Sequence, residues 1–459
     1  MVSFKDILHN LPEVRAPVEK KLSFNVKLKW TIIILSAFFI LANISLWGLK
    51  ANALARFEYI AILLGTDFGS IISLGIGPIV MASIILQLLV GSGIVHIDTS
   101  KPEGKKFFQG VQKLLVFGFI IFEAVVYTLM GGTPANPGFE AIVIIQLMVG
   151  GLLIMFMDEV CHKWGFGSGV SLFIAAGVGW RLVTGLFGFI GPGGIAAGVQ
   201  PIGAVLALFN NFFVLSDVTG GLSELAKILA TAIIFLAVVW AQSLKIEIPL
   251  SYDRMRGYNI KWPLAFFYAS NIPVILTGAF VANLQLMGGL FENWLGHATF
   301  LGHFSNGVAV SGLSFWLGAS NVVEMAITGG FRWIYAGQAV VHIIVFVIFS
   351  AIFSVFWVKT AGMDSSSQAK KIINSGLQIP GFRKDQRVLE AILDRYVMPL
   401  TIMGGIAVGL LAGVSDIMGT ITGGTALLLG IMIIYQFYQN IAQQHAMDMH
   451  PAMRKMMGG

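Results

Sequence analysis

The chain has 459 residues, of which 56% are hydrophobic and 11% charged, with a formal net charge of +6. A soluble domain carries roughly 25% charged residues, and apolar runs as long as 31–49 and 339–358 are long enough to span a bilayer. Together these exclude a soluble enzyme or binding module and leave a polytopic helical membrane protein.

Ten spans are predicted, at 29–49, 76–94, 113–131, 138–158, 168–188, 224–244, 264–288, 334–358, 397–416 and 423–442. Residues 1–28 precede them as a polar, amphipathic segment with no cleavable signal peptide expected. Basic residues alternate between loops. Lys5, Arg15, Lys20, Lys21, Lys27 and Lys29 lead into the first span, and Lys101, Lys105, Lys106 and Lys113 follow the second. Arg254, Arg256 and Lys261 follow the sixth, in loop 245–263. Lys359, Lys370, Lys371, Arg383, Lys384, Arg387 and Arg395 lie in loop 359–396. The intervening loops carry very few, so the positive-inside rule puts both termini, including the tail 443–459, in the cytoplasm.

Between the first two spans, residues 51–70 contain Arg56, Glu58 and Asp67 and are too polar to cross. They read either as a short re-entrant helix dipping into a cavity or as a plain surface loop. The second span, in SLGIGPIVMASIILQLLVGSG (73–93), opens with helix breakers and carries Gln87 in its middle. Proline lacks a backbone donor, so a new helix starts near Pro78. Broken helices at membrane depth face protein or a water-filled cavity, and the pattern points to a cavity. Asp158 and Glu159 end the fourth span, where solvated charges are expected. Residues 189–223 form an external connection between spans five and six. The seventh span is expected to carry Pro273 in its interior. His342, in the eighth, reads as a structural hydrogen bonder. The loop 359–396 is expected to hold two short amphipathic pieces around the Pro380-Gly381 turn.

The halves 29–188 and 224–442 echo each other. GIGPIV (75–80) has a partner in SNIPVI (270–275), and GSGVSLFI (167–174) in GGTALLL (423–429). Five spans per half would set the halves in opposite orientations, an inverted repeat built around a pathway; chance similarity among Gly/Pro-rich helices is the alternative. Function classes narrow further. No GxxxxGK[ST] motif supplies a nucleotide site. Nearly charge-free span centres speak against an ion-coupled transporter. No paired aspartates, Ser–His pair or HExxH supports an intramembrane enzyme. Cys161 is the one cysteine and no metal-ligand cluster is visible, so no metal, cofactor or catalytic residue is expected.

Six stretches in order carry a resemblance: GIGPIVMASIILQLL (75–89), QGVQKLL (109–115), FGSGVSLFIAAG (166–177), SNIPVILTGAF (270–280), PGFRK (380–384) and TGGTALLL (422–429). Together they resemble the SecY family, the channel subunit of the Sec translocon, in its archaeal form. The resemblance implies an all-α protein with ten transmembrane helices in two five-helix halves, hinged between spans five and six, around an hourglass pore. It implies a pore ring at Ile76, Val80, Val170, Ile174, Ile275 and Leu429. It implies a re-entrant plug over 54–67, with Leu54, Phe57, Ile60, Leu63, Leu64, Thr66 and Asp67. Spans two, three, seven and eight would form a lateral gate with Gln87 and Asn271 as its polar positions. Where many members carry a gate hydroxyl this chain has Met81, with Ser83 nearby. Arg256, Arg383 and Lys384 would face a ribosome. The implied partners are a SecE-like gamma subunit, a small beta-type subunit in the SecG position, a ribosome with its nascent chain, signal sequences and lipids. The implied location is the plasma membrane, and the driving force comes from a partner.

The residues themselves bear on these roles. Ile76 and Val80 are four apart, as are Val170 and Ile174, so each pair shares a helix face. Such faces serve equally as ordinary core or lipid contacts. An aliphatic ring offers a sliding chain no fixed hydrogen-bond partner and gates ions by dewetting. Gln87 and Asn271 also fit the role of interhelical glue, with contacts near ~0.6 kcal/mol.

Overall fold

The computed structural model describes residues 11–19, 22–50, 66–97, 102–189, 201–252, 259–305, 308–374, 377–378 and 385–449. The first half comprises α1 (Phe24–Ala42), α2 (Gly77–Gly91), α3 (Pro102–Leu129), α4 (Glu140–Trp164) and α5 (Gly169–Phe187). A short helix, α6 (Ala204–Phe213), lies in the connection. The second half contains α7 (Val218–Ser243), α8 (Ile272–Leu295), the short α9 (Leu313–Leu317) and α10 (Val322–Thr328), then α11 (Trp333–Thr360), α12 (Ser365–Asn374), α13 (Gln386–Ile417) and α14 (Gly424–Met449).

Among the described residues, nine helices are long and apolar enough to cross a membrane. The tenth, α2, has 15 residues. At 1.5 Å per residue it reaches about 22 Å, short of the ~30 Å bilayer core. Residues 66–76 make up the difference as tight turns sunk in protein: Ile72, Ser73, Leu74 and Ile76 are fully buried. Their backbone groups are met locally, by Ser73 N to Ser70 O at 3.1 Å and Gly75 N to Ile72 O at 2.8 Å. The Ser73 hydroxyl donates to Ser70 O at 2.6 Å and accepts Gly69 N at 2.8 Å. Non-helical backbone survives at this depth because protein, not lipid, surrounds it.

The two halves repeat this opening. Gly75 (φ 53°) and Ser270 (φ 59°) both take the left-handed conformation, each three residues before a proline. The next residues, Ile76 (φ −84°, ψ −2°) and Asn271 (φ −87°, ψ −12°), cap α2 and α8, with proline in the first turn of each. Pro273 therefore does not interrupt the seventh span, as its sequence position suggested. The apolar run before it belongs to a strand and a turn, which hydropathy does not distinguish from helix. The first span likewise ends early, at Ala42. The chain beyond it pairs with two other loops through Leu46 N to Gly69 O at 2.9 Å and Asn136 N to Gly48 O at 2.8 Å.

Helices α2, α3 and α4 pack in sequence within the first half, and α8, α11 and α13 within the second. The halves meet where α2 touches α8 and α11, and where α5 touches α14. Helix α8 is central, with 78% of its apolar window buried against 11% for α1. Outward-facing residues such as Ile33 and Ile40 on α1, or Leu236 and Trp240 on α7, are exposed and apolar. Lipid solvates such faces as well as a core would.

Asp158 and Glu159 depart from the expectation of solvated charges. Their side chains are only 18% and 17% exposed. Glu159 binds Lys113 at 3.1 Å and Lys163 at 3.2 Å, and accepts Val14 N at 3.2 Å. Lys163 also reaches Glu13 and the Val14 carbonyl. The N-terminal stretch around Glu13–Arg15 lies across the end of α4 and shields Glu159, a contact 145 residues apart in sequence. The Lys163 ammonium holds the Glu13 carboxyl below its usual range.

Among the described residues, two small sheets supplement the helices. Strand β1 (Lys245–Tyr252) pairs antiparallel with β2 (Asn259–Ala265), and its end pairs with β5 (Leu377–Gln378) through Ser251↔Gln378 and Tyr252↔Leu377. β3 (His303–Ser305) and β4 (Val308–Ser311) form a separate hairpin. The first sheet sits on a second apolar cluster that includes Ile248, Leu264, Tyr268, Ile372 and Leu393. There Tyr268 donates to Met363 O at 2.6 Å, and burial pushes its phenol up to about 12, so it remains a donor at neutral pH. Of the two amphipathic pieces expected in 359–396, the first is α12. The second continues without a break through Pro399 as the start of α13.

Candidate functional site

All six positions matched to a pore ring lie at one hydrophobic cluster. Ile76, Val80, Ile174, Ile275 and Leu429 are buried in it, and Val170 packs against it half-buried. They come from α2 and its N-cap, α5, α8 and α14, the helices through which the halves touch.

Alongside runs the seam where α2 meets α8 and α11. Among the buried polar side chains of the helices around it are Gln87 on α2, Glu123 on α3 and Asn271 at the start of α8. Gln87 Oε1, Glu123 Oε2 and Asn271 Nδ2 have no hydrogen-bond partner within the described residues. Glu123 lies in the third span, which sequence reasoning had passed over as nearly charge-free. Its Oε2 is 3.1 Å from where a Cβ on Gly77 would stand, so the carboxyl group faces the first turn of α2. The available signal was a lone glutamate in the apolar run FGFIIFEAVVYTLM, since intramembrane carboxylates are functional by default.

Hydrogen bonds bind the seam's helices within each half. Gln112 Nε2 on α3 donates to Ser83 Oγ on α2 at 2.6 Å. Thr277 and Ser350 hydroxyls join α8 to α11 at 3.2 Å. Ser83 is thus committed inside its own half. Across the seam α2 also packs closely on α8 and α11, mainly through apolar contacts. Phe356 of α11 packs against Gly91 at one end of α2. At the opposite face, Asn293 Nδ2 donates to Gly131 O at 2.9 Å. A join made mainly of apolar contacts can part along this line, because lipid or an apolar helix can replace those contacts and few hydrogen bonds must break.

Thr66 and Asp67 are the members of the 54–67 segment that fall among the described residues. Thr66 is buried and its hydroxyl donates to Ile72 O at 2.5 Å, while Asp67 is exposed. Leu54, Phe57, Ile60, Leu63 and Leu64 lie outside them, as do Arg256, Arg383 and Lys384. The chain leading to both arginines is described, however. β1 ends at Tyr252 and β5 at Gln378, and these strands are paired. His342 hydrogen-bonds to Leu317 O at 2.7 Å through Nδ1 and to Asp416 Oδ2 at 3.1 Å through Nε2, tying α11 to α9 and α13.

Two inverted five-helix halves meeting around a hydrophobic cluster and along an apolar seam define the fold of a protein-conducting membrane channel. A solved structure of a protein-conducting channel matches with a TM-score of 0.83 and 38% identity, over 98% of this chain and 99% of that one. Sec61 in the canine ribosome–channel complex from the endoplasmic reticulum matches at 0.79 and 37%, over 98% and 99%. The SecY family profile covers residues 70–438. The protein translocase subunit SecY of Methanothermobacter thermautotrophicus is 43% identical over 464 aligned residues, spanning 99% of this chain and 98% of the relative. The chain belongs to the SecY family.

Proposed function

We propose that this chain forms the conduit through which a Sec translocon moves unfolded secretory polypeptides across the plasma membrane and releases apolar helices sideways into lipid. The observation that carries this reading is the seam: each half is hydrogen-bonded within itself, and polar atoms of Gln87, Glu123 and Asn271 stand unpartnered beside the join. The ring Ile76, Val80, Val170, Ile174, Ile275 and Leu429 is the constriction, and 54–67 is the plug. Both termini and the sheeted loops face the cytoplasm, in keeping with the charge asymmetry of the loops. The chain acts as a conduit and not a catalyst. A translating ribosome supplies the push, as the relation to the canine ribosome–channel complex supports. A SecE-like gamma subunit and a small beta-type subunit complete the assembly.

A photo-crosslinking amino acid at Ile275 tests the conduit directly. With a ribosome-tethered secretory chain stalled in transit, an adduct to that chain is expected. No adduct from Ile275 or any other ring position, with the chain demonstrably engaged, would refute the reading. Uptake of a small solute by liposomes containing the chain would favour a transporter instead.

The gate carries its own prediction. Leucine at Gln87 or Asn271 removes a buried polar atom without a partner, at 271 together with the bond Asn271 Oδ1 accepts from Ser270, so each substitution should stabilise the closed seam by about 1 kcal/mol. Signal sequences with short apolar regions should then fail first in translocation of a graded series. A threshold that stays in place would remove these residues from the gate; a shift toward weaker signals would keep them there and show that their polar contacts favour closure.

A further inference from the structure

Two aspartates do the same thing in the two halves. Asp158, near the end of α4, accepts the amide hydrogen of Val170 at 2.9 Å. Asp416, near the end of α13, accepts that of Thr425 at 2.5 Å, and its other oxygen takes the Thr425 hydroxyl. Val170 and Thr425 are each the second residue of their helices, α5 and α14. A glycine precedes each, and close packing explains it: a Cβ on Gly169 would stand 2.5 Å from Asp158 Cα, and one on Gly424 2.1 Å from Asp416 N. A histidine also meets each carboxylate, His162 at 3.5 Å and His342 at 3.1 Å. Because the halves are inverted, the two caps lie on opposite faces of the protein.

This equivalence aligns Val170 with Thr425, and Ile174 with Leu429 one turn further on. The proline openings align Ile76 with Asn271 and Val80 with Ile275. The first half therefore supplies four aliphatic ring positions and the second only two. The remaining second-half equivalents, Asn271 and Thr425, are polar. They differ in one respect: Asn271 Nδ2 is unpartnered, whereas both donors of Thr425 are taken by Asp416.

We propose that Asp158 and Asp416 are positioning residues of the channel. Each locks the pore-lining helix that follows it at one axial height, and Asp416 also withholds the Thr425 donors from the constriction. The proposal rests on Ile174 and Leu429 belonging to the ring. First-turn amides have no partner inside their own helix, and a carboxylate there complements the helix dipole. A local cap, such as Ser168 accepting Ser171 N at 3.4 Å, secures only a helix end. A cap contributed by the preceding span ties two spans in register. A slip of α5 or α14 by one turn would displace its ring residue by about 5.4 Å.

The test uses the full chain, purified with the subunits that accompany it and reconstituted into planar bilayers. Asp158→Ala and Asp416→Ala should each raise resting ion conductance about fivefold, the population change expected for a lost cap. Asp158→Asn keeps the one acceptor its cap needs and should stay near the parent, while Asp416→Asn keeps only one of two and should leak less than Asp416→Ala. Thr425→Pro removes the donor while leaving Asp416 in place, and proline is tolerated in a first helical turn. It should leak like Asp416→Ala, and it decides the matter if that variant does not accumulate. Ile174→Ser and Leu429→Ser are run beside them. Leaking ring variants with silent alanine and proline variants would overturn the caps and leave the ring standing. Ring variants that stay silent even with residues 54–67 deleted would remove the ring assignment itself. Equal leakage from asparagine and alanine variants would also overturn the proposal, since the hydrogen bond would then not be what holds the helix.

Discussion

Replacing Ile76 and Ile275 by serine is expected to convert a resting channel that blocks ions into one that conducts them. The two residues reach the same buried cluster from opposite halves. Each substitution exchanges an aliphatic side chain for a hydroxyl, at roughly 1.5 kcal/mol or more of lost preference for a dry environment. Two together shift the dry-to-wet balance by about 3 kcal/mol, a population change of roughly a hundredfold. A constriction of this kind gates by dewetting, so wetting and ion passage should appear together. Planar-bilayer conductance of the resting protein is the measurement. The double variant should be paired with Ile76→Val and Ile275→Val, which keep the aliphatic surface and should remain silent. A serine variant as silent as the parent, also with residues 54–67 deleted, would mean that these positions do not form the seal.

Arg256→Glu combined with Arg383→Glu is expected to weaken ribosome binding by about a hundredfold, at roughly 1.5 kcal/mol for each charge-assisted hydrogen bond lost. The loops that carry these arginines are rooted in one sheet, where Ser251 and Tyr252 pair with Gln378 and Leu377. That pairing starts the two loops from the same place on the basic face. A single RNA surface can then meet both, each guanidinium holding a phosphate through paired hydrogen bonds. Phosphate contacts release counterions, so parental binding should fall steeply with salt. The double variant should lower the log–log slope by about 2, one unit for each lost contact. Co-sedimentation of ribosomes with the detergent-solubilised protein across a salt series reads both quantities. Binding unchanged at every salt concentration would exclude the arginines and shift attention to Lys370, Lys371 and Lys384. The resting conductance should not change, because both residues lie outside the spans.

The sequence by itself determined the class of protein, most of the spans and the two-half plan. Backbone in lipid must satisfy its own hydrogen bonds, so long apolar runs have one solution. Breakers were equally legible: Gly75 and Pro78 announced the short α2, and SNIPVI announced its repeat at α8. Other features were decided only by tertiary structure. Inward- and outward-facing residues of a membrane helix are both apolar, so periodicity did not single out Ile76 or Leu429 from the exposed Ile40. The proline of α8 was placed in mid-span because strand, turn and helix there are alike in hydropathy. Glu123 looked like an isolated charge until α2 was packed over it, and Glu159 looked solvated until the stretch around Glu13–Arg15 was laid across it. The caps at Val170 and Thr425 join groups 12 and 9 residues apart across a change of direction. Which polar atom meets which donor depends on how separate spans come together in space, and that arrangement, unlike hydropathy, is not written in any one segment.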